Sequence, residues 1–156
     1  MAFQNFSIWR GRLPHWRADD VRYYVTFRHR RALEPRERDV LLKALLQPSP
    51  VRWDVLVACV LPESTELMVT MGLGKHGRPV ELSEVVEPAK RRASKAIVKA
   101  TGERFGPFYE ESYDRIVRDD TEFEERWLGI IQSPVDLELA PEPEEYPTLF
   151  VQGSIS

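Results

Sequence analysis

Eight cations have the types and spacing to meet a chain of phosphates. Lys90, Arg91, Arg92, Lys95 and Lys99 fall in one run, where positions 91, 95 and 99 are successive i+4 steps, so their charges can line one helix edge. A phosphate backbone accepts hydrogen bonds from such a row, and Ser94 adds a neutral donor. A solubilising helix face has the same composition. Arg28, Arg30 and Arg31, with His29 among them, end a segment whose outward positions also carry Arg22 and Tyr24. Arginine beside aromatics suits bases that are stacked or splayed out of a strand, although a plain charged turn reads alike.

Side chains for covalent or metal chemistry are sparse. His15, His29 and His76 fall in three loops without His-x-His or His-x-x-x-His spacing, so no metal site and no resident cofactor are expected. Glu63 and Glu66 offer two carboxylates to a hard cation, which is weak evidence alone. Tyr109 and Tyr113 carry phenols capable of nucleophilic attack, but their aromatic surroundings point first to buried packing roles. Cys59 is the single cysteine, which excludes a disulfide framework and a cysteine-rich zinc site.

The elements that must position these residues follow from period. Val21, Tyr23, Val25 and Phe27 alternate with Arg22, Tyr24, Thr26 and Arg28, which predicts a half-buried strand. Pro35 suits a first helical turn, and Val40, Leu41, Ala44 and Leu45 continue at helical spacing until Pro48 and Pro50. Residues 51–61 are apolar on both faces, as in a central strand, with Val51, Trp53, Val55, Val57 and Cys59 assigned to one of them. Thr65 to Met71 alternates again. A loop with Gly72, Gly74, Gly77 and Pro79 follows, and carries Lys75, His76 and Arg78. Leu82, Val85, Val86, Ala89, Ala93, Ile97 and Ala100 predict a helix stopped by Gly102, within which Pro88 either makes a kink or marks the true first turn. Phe105 to Val117 reads as an irregular strand or extended loop. Asp119 or Asp120 can cap a last helix through Phe123, Trp127, Leu128 and Ile131, ended by Ser133-Pro134.

This order predicts an α+β ferredoxin-like sandwich, an antiparallel sheet with helices on one face. Its parts are an arm over residues 1–20 that packs by its aromatics, a body over 21–135, and an acidic, Pro-rich, exposed tail over 136–156. Of 156 residues, 42% are apolar and 30% charged, enough for one core without staples. The net charge of −3 hides an asymmetry: residues 1–118 carry 21 Lys and Arg against 15 Asp and Glu, while 119–156 carry one against ten. The basic body is compatible with a polyanion, as is an uneven solvated surface. No secretory h-region and no membrane-length apolar run occur, so a cytoplasmic chain without a membrane partner is expected.

Three stretches carry a resemblance. Leu13-Pro14-His15-Trp16-Arg17 followed by Tyr23-Tyr24-Val25-Thr26-Phe27-Arg28, then the run from Gly106 through Pro107-Phe108-Tyr109 and Tyr113-Asp114-Arg115 to Asp119, then Ser133-Pro134-Val135 in place of Asn-Pro-Val, together resemble the single-tyrosine transposases associated with repetitive extragenic palindromes. The resemblance spans residues 13–135. It implies a ferredoxin-like domain that binds single-stranded or hairpin DNA and cuts it with a tyrosine, while a divalent cation held by a His-hydrophobic-His pair polarises the phosphate. The family's pair follows a Pro-Asn stretch; here Pro62-Glu63-Ser64-Thr65-Glu66-Leu67 puts Ser64 and Glu66 at the ligand positions. The family's tyrosine stands five residues before the motif proline, which here is Gly129, and 127–133 contains no Tyr. Tyr113 matches a non-nucleophilic family position and is the weak remaining candidate.

The resulting expectation is a catalytically inactive, transposase-like domain that binds hairpin or single-stranded DNA through Arg28, Arg30, Arg31, Lys90, Arg91, Arg92, Lys95 and Lys99. The alternative is a protein-interaction module that keeps only the fold. In that reading the acidic tail, Glu138 to Glu145, docks on a basic partner or folds back on the chain's own basic face.

Overall fold

A computed structural model describes residues 21–48, 53–71 and 81–153. Strand β1 (Arg22–Arg28) leads to helix α1 (Pro35–Leu46), strands β2 (Trp53–Val60) and β3 (Ser64–Met71), helix α2 (Ser83–Thr101), strand β4 (Tyr113–Ile116) and helix α3 (Asp120–Asp136). A 3₁₀ turn (Pro143–Glu145) and strand β5 (Leu149–Val151) follow. The arm with Trp9 and Trp16, Val51, and the glycine loop with Lys75, His76 and Arg78 lie outside the described residues.

Every strand pair is antiparallel, in the order β4-β1-β3-β2-β5. The first four strands with α1 and α2 form the expected ferredoxin-like βαββαβ unit. Helices α1 and α2 share one face, where Leu41, Leu45, Val85, Ala89, Ala93 and Ile97 pack on Val25, Phe27, Leu67 and Val69. Helix α3 takes the other face. There Phe123, Trp127, Ile130 and Ile131 pack on Val57, Cys59 and Met68.

That second layer changes several expectations. Arg22 is buried under α3, with its guanidinium bonded to Asp120 (2.9 Å) and placed over the Phe123 ring, and Tyr24 is half-buried. Neither is an outward strand position. Strand β2 does not keep one alternation, because its register with β3 shifts between Val55 and Val57. Trp53 and Val55 therefore face α1 and α2, whereas Val57 and Cys59 face α3. One extra residue in a strand exchanges its faces, and a strand apolar on both sides gives no sequence sign of it.

The helix ends have local causes. Gly102 stops α2 in the left-handed region at φ 76°, its N–H bonded to Val98 O (2.8 Å). Pro88 lies inside a continuous α2. Asp119 caps α3 by accepting from the Glu122 N–H at 2.8 Å. Ser133-Pro134 does not end α3, which runs to Asp136: a proline removes one backbone donor, and Leu137 N still bonds Ser133 O. Residues 136–153 are not an exposed tail. Tyr146 and Val151 are buried, Tyr146 Oη donates to Val60 O (2.8 Å), and β5 pairs with β2.

Candidate nucleic-acid interface

The register across the sheet places the residues of interest in rows on the α3 face. Arg28 lies opposite Ser64, and Tyr113, Thr26 and Glu66 lie opposite one another on β4, β1 and β3. Directly opposed residues point to the same side, with strands about 4.8 Å apart. Ser64 and Glu66 therefore share the face that α3 covers. Ser133, one turn beyond Gly129, shares its single hydroxyl proton between Glu66 Oε1 at 3.1 Å and Gly129 O at 2.9 Å. Ser133 thus links Glu66 to the backbone of Gly129, while Ser64 lies two residues from Glu66 on the same face of β3.

Glu66 is engaged on both oxygens, because Tyr24 donates its phenol to Oε2 at 3.2 Å. Burial and this carboxylate push the Tyr24 phenol up to about 12, so it stays protonated near neutrality. Arg126 lies over the Tyr24 ring at 4.4 Å. A divalent cation does not fit this donor set. A neutral serine hydroxyl is a weak ligand beside a carboxylate that already accepts two hydrogen bonds. His29 cannot replace the missing imidazoles, since it is buried against Pro62 and Thr65 on the opposite side. Among the described residues no three His, Cys, Asp or Glu side chains gather as metal ligands. Glu63 is exposed in the turn before β3, and Tyr113 stands two strand spacings, about 10 Å, from Glu66 across the backbone.

The eight cations do not form one surface. Lys90 is 4% exposed; its ammonium reaches Glu110 O (3.2 Å) and Ser112 Oγ (3.3 Å) and lies over the Phe27 ring. Burial lowers its pKa, and it ties the segment before β4 to α2 rather than facing a ligand. Arg31 is held by Glu37 (2.7 Å) and by Glu103, an ion triad that fixes the start of α1. Arg92 is exposed but donates to Ala44 O (3.0 Å), bridging α2 to α1. Arg91, Lys95 and Lys99 remain on the outer face of α2, exposed and without an ion pair among the described residues. Helical rotation sets Lys90 and Arg92 about 100° to either side of Arg91, toward the packed flanks.

Arg28 and Arg30 are also exposed and unpaired among the described residues, and they meet aromatics. Arg30 donates Nε to Phe108 O (3.2 Å), and its guanidinium lies 5.1 Å from the Tyr109 ring centre. Backbone bonds from Arg30 N to Pro107 O and a bridge between His29 and Phe108 hold this segment against β1. Two clefts of about 500 Å³ meet here, both lined by Arg28 and Tyr109. One continues to Tyr113 and Thr26, the other to Arg31 and Ser64. Tyr109 and Tyr113 are 40% and 56% exposed, not buried core aromatics. The outer edge of β4 has no partner among the described strands, so the rings meet arginines rather than a core: Tyr109 lies under Arg30, and Tyr113 beside Arg115, which pairs with Glu122 of α3. Their sequence signal was the cluster of acidic neighbours Glu110, Glu111 and Asp114, charges that resist burial.

No helix among the described residues is long and apolar enough to cross a membrane. No family model and no curated protein matches the sequence. Among solved structures the chain is similar to a REP-associated tyrosine transposase bound to a REP hairpin, with a TM-score of 0.66, 15% identity, and 87% of this chain and 81% of that one covered. A candidate transposase from Deinococcus radiodurans R1 gives a TM-score of 0.48 at 12% identity over 80% and 95% of the two chains. The chain has the transposase-like fold of the first of these.

Proposed function

We propose that this chain binds hairpin or single-stranded DNA and leaves it uncut. The observation that carries the binding is the pair Arg28 and Arg30, exposed and in no ion pair among the described residues, at clefts lined by Tyr109 that also carry Glu111 and Glu63. Arg91, Lys95 and Lys99 supply a second, separate cationic surface on the outer side of α2 that can also meet phosphates. The fold it shares with a hairpin-bound transposase supports the same ligand class. Absence of cutting rests on the side chains at three positions. Gly129 has no attacking oxygen, Ser64 is a poor cation ligand, and Glu66 is occupied by Tyr24 and Ser133.

Titrating a labelled DNA hairpin and an unstructured oligonucleotide at two salt concentrations tests the binding. Affinity is expected to fall with salt, each lost arginine contact to a phosphate reducing the log–log slope by about 0.7 to 0.9. Binding that is absent at tens of micromolar, or indifferent to salt, rejects the reading. Incubation with Mg²⁺ or Mn²⁺ tests the second part, and no covalent protein–DNA adduct is expected. An adduct lost in Tyr113→Phe or Tyr24→Phe would restore the enzyme.

A further inference from the structure

We propose that copies of this chain associate head to tail, the leucine-bearing acidic turn that closes α3 in one copy seating on the cationic outer face of α2 in the next. Association needs no nucleic acid and stands apart from the DNA reading above. Two exposed apolar surfaces, opposite in charge and on opposite sides of the sheet, carry it.

The first is the turn after α3. Leu137 and Leu139 are 56% and 41% exposed, and the backbone fixes them there, since Glu138 N bonds Val135 O (2.9 Å) and Leu139 N bonds Pro134 O (2.8 Å). This pair of bonds closes a helix where glycine is usual, yet Glu138 takes the left-handed region at φ 59°. The leucines are therefore held, not loose. Asp136 and Glu138 flank them, and Glu142, Glu144 and Glu145 follow at the 3₁₀ turn, which packs against α3. All five carboxylates are exposed, and none is in an ion pair among the described residues. Arg38, over the Tyr146 ring, donates to Leu33 O instead.

The second surface surrounds Phe105, which is 68% exposed, with the Arg104 guanidinium 5.5 Å from its ring centre. Gly106 packs on Ser94, and this sets Phe105 beside the row Arg91, Lys95 and Lys99. Acidic neighbours leave that row open. Glu87 pairs with Lys90 at 3.7 Å, Glu103 is held by Arg31, and Glu110 and Glu111 lie beyond Lys90 on the flank toward β4.

The sheet separates the two surfaces, because α2 packs on one face and α3 on the other, so they cannot meet within one chain. A second copy brings them together. Phe105 then packs on the leucines while carboxylates meet cations, which removes apolar surface from water and pairs charges that the monomer leaves open. Unlike surfaces repeat from copy to copy and do not close on a twofold axis. Seven side chains facing five fall well short of the roughly 20 to 30 residues a side of a stable complex, so the dissociation constant is expected at about 0.1 mM.

Sedimentation equilibrium of the full chain without DNA, from about 10 µM to 1 mM, tests this. The average mass is expected to rise past that of a dimer, and a salt increase from about 50 to 500 mM to reverse the rise. Lys95→Glu with Lys99→Glu, and separately Glu142→Lys with Glu144→Lys and Glu145→Lys, should each give a monomer with unchanged melting. Mixing the two reversed proteins should restore association, since each then offers the other an opposite charge at both surfaces. Leu137→Ser and Phe105→Ser, both outside the core, should weaken association about tenfold without any change of charge. A parent that stays monomeric, reversed proteins that associate as the parent does, or a mixture that remains monomeric overturns the arrangement. A mass that levels off at a dimer overturns it as well, and none of these outcomes bears on the DNA titration.

Discussion

His29 sits between two exposed arginines, yet its protonation works against the fold. Its Nδ1 lies 2.8 Å from Pro62 O, which can only accept, so Nδ1 carries the proton and Nε2 accepts from Thr65 Oγ1, also at 2.8 Å. Burial and, to a lesser degree, the nearby Lys90 charge lower its pKa to about 4. The folded state thus holds neutral imidazole where the unfolded chain, with an ordinary value near 6.5, takes up a proton. Stability from this group is complete above that ordinary value and is lost as pH falls through it toward about 4, by ~3 kcal/mol in all. Urea midpoints measured across this window are expected to fall with pH in the parent, and His29→Gln, less stable at neutral pH, should fall less steeply. A parallel slope in the variant would refute the assignment. The sequence contained the clue, because residue 29 continues the side of β1 that carries Val25 and Phe27. Four consecutive basic residues obscured it.

Segment 103–112, between α2 and β4, positions Tyr109 and so decides the shape of both clefts. It returns along α2, held by Lys90 at Glu110 and Ser112 and by a close approach at Gly106. A Cβ at Gly106 would fall 2.6 Å from Ser94 Cβ, a distance no pair of side chains tolerates. Gly106→Ala is therefore expected to cost about 1–3 kcal/mol, as overpacking does, and to weaken DNA binding by displacing Tyr109. Adding Ser94→Gly should recover part of the stability despite the helix penalty of glycine, whereas a double variant no better than the single would remove the contact as the cause. Element types were legible from period alone in β1, β3 and α2. The β2 bulge, the wetness of β4 and the burial of Lys90 were not, because each depends on which neighbour covers a face, and periodicity is blind to neighbours. The resemblance drew attention to Glu66 and Gly129, which Ser133 links in space although β3 and α3 are far apart in sequence.

At the scale of the whole molecule, charge asymmetry suggested an acidic tail free to dock or to fold back over the basic surface, and sheet order argues otherwise. β5 occupies the edge opposite β4, three strand spacings, about 14 Å, from β1 and Arg28. The exposed Glu142, Glu144 and Glu145 lie in the turn before β5, which packs against α3, and at physiological salt a charge beyond a screening length of about 8 Å acts only weakly on a bound phosphate. Replacing these three by glutamine is expected to leave melting unchanged and to alter DNA affinity less than twofold, while a several-fold gain would revive the fold-back. Deleting 140–156 is a different experiment. It strips Tyr146 and Val151 from the core under β2, side chains whose burial is worth about 1.5–3 kcal/mol each, and it removes the hydroxyl donors Tyr146 and Thr148 from Val60 O. Losses of that size approach a domain's whole margin of about 5–15 kcal/mol, and they uncover the β2 edge as an unpaired strand. The truncated chain is therefore expected to melt well below the parent or to aggregate. A soluble truncation with unchanged melting would mean that β5 contributes nothing and that the acidic end is the free appendage its composition suggested.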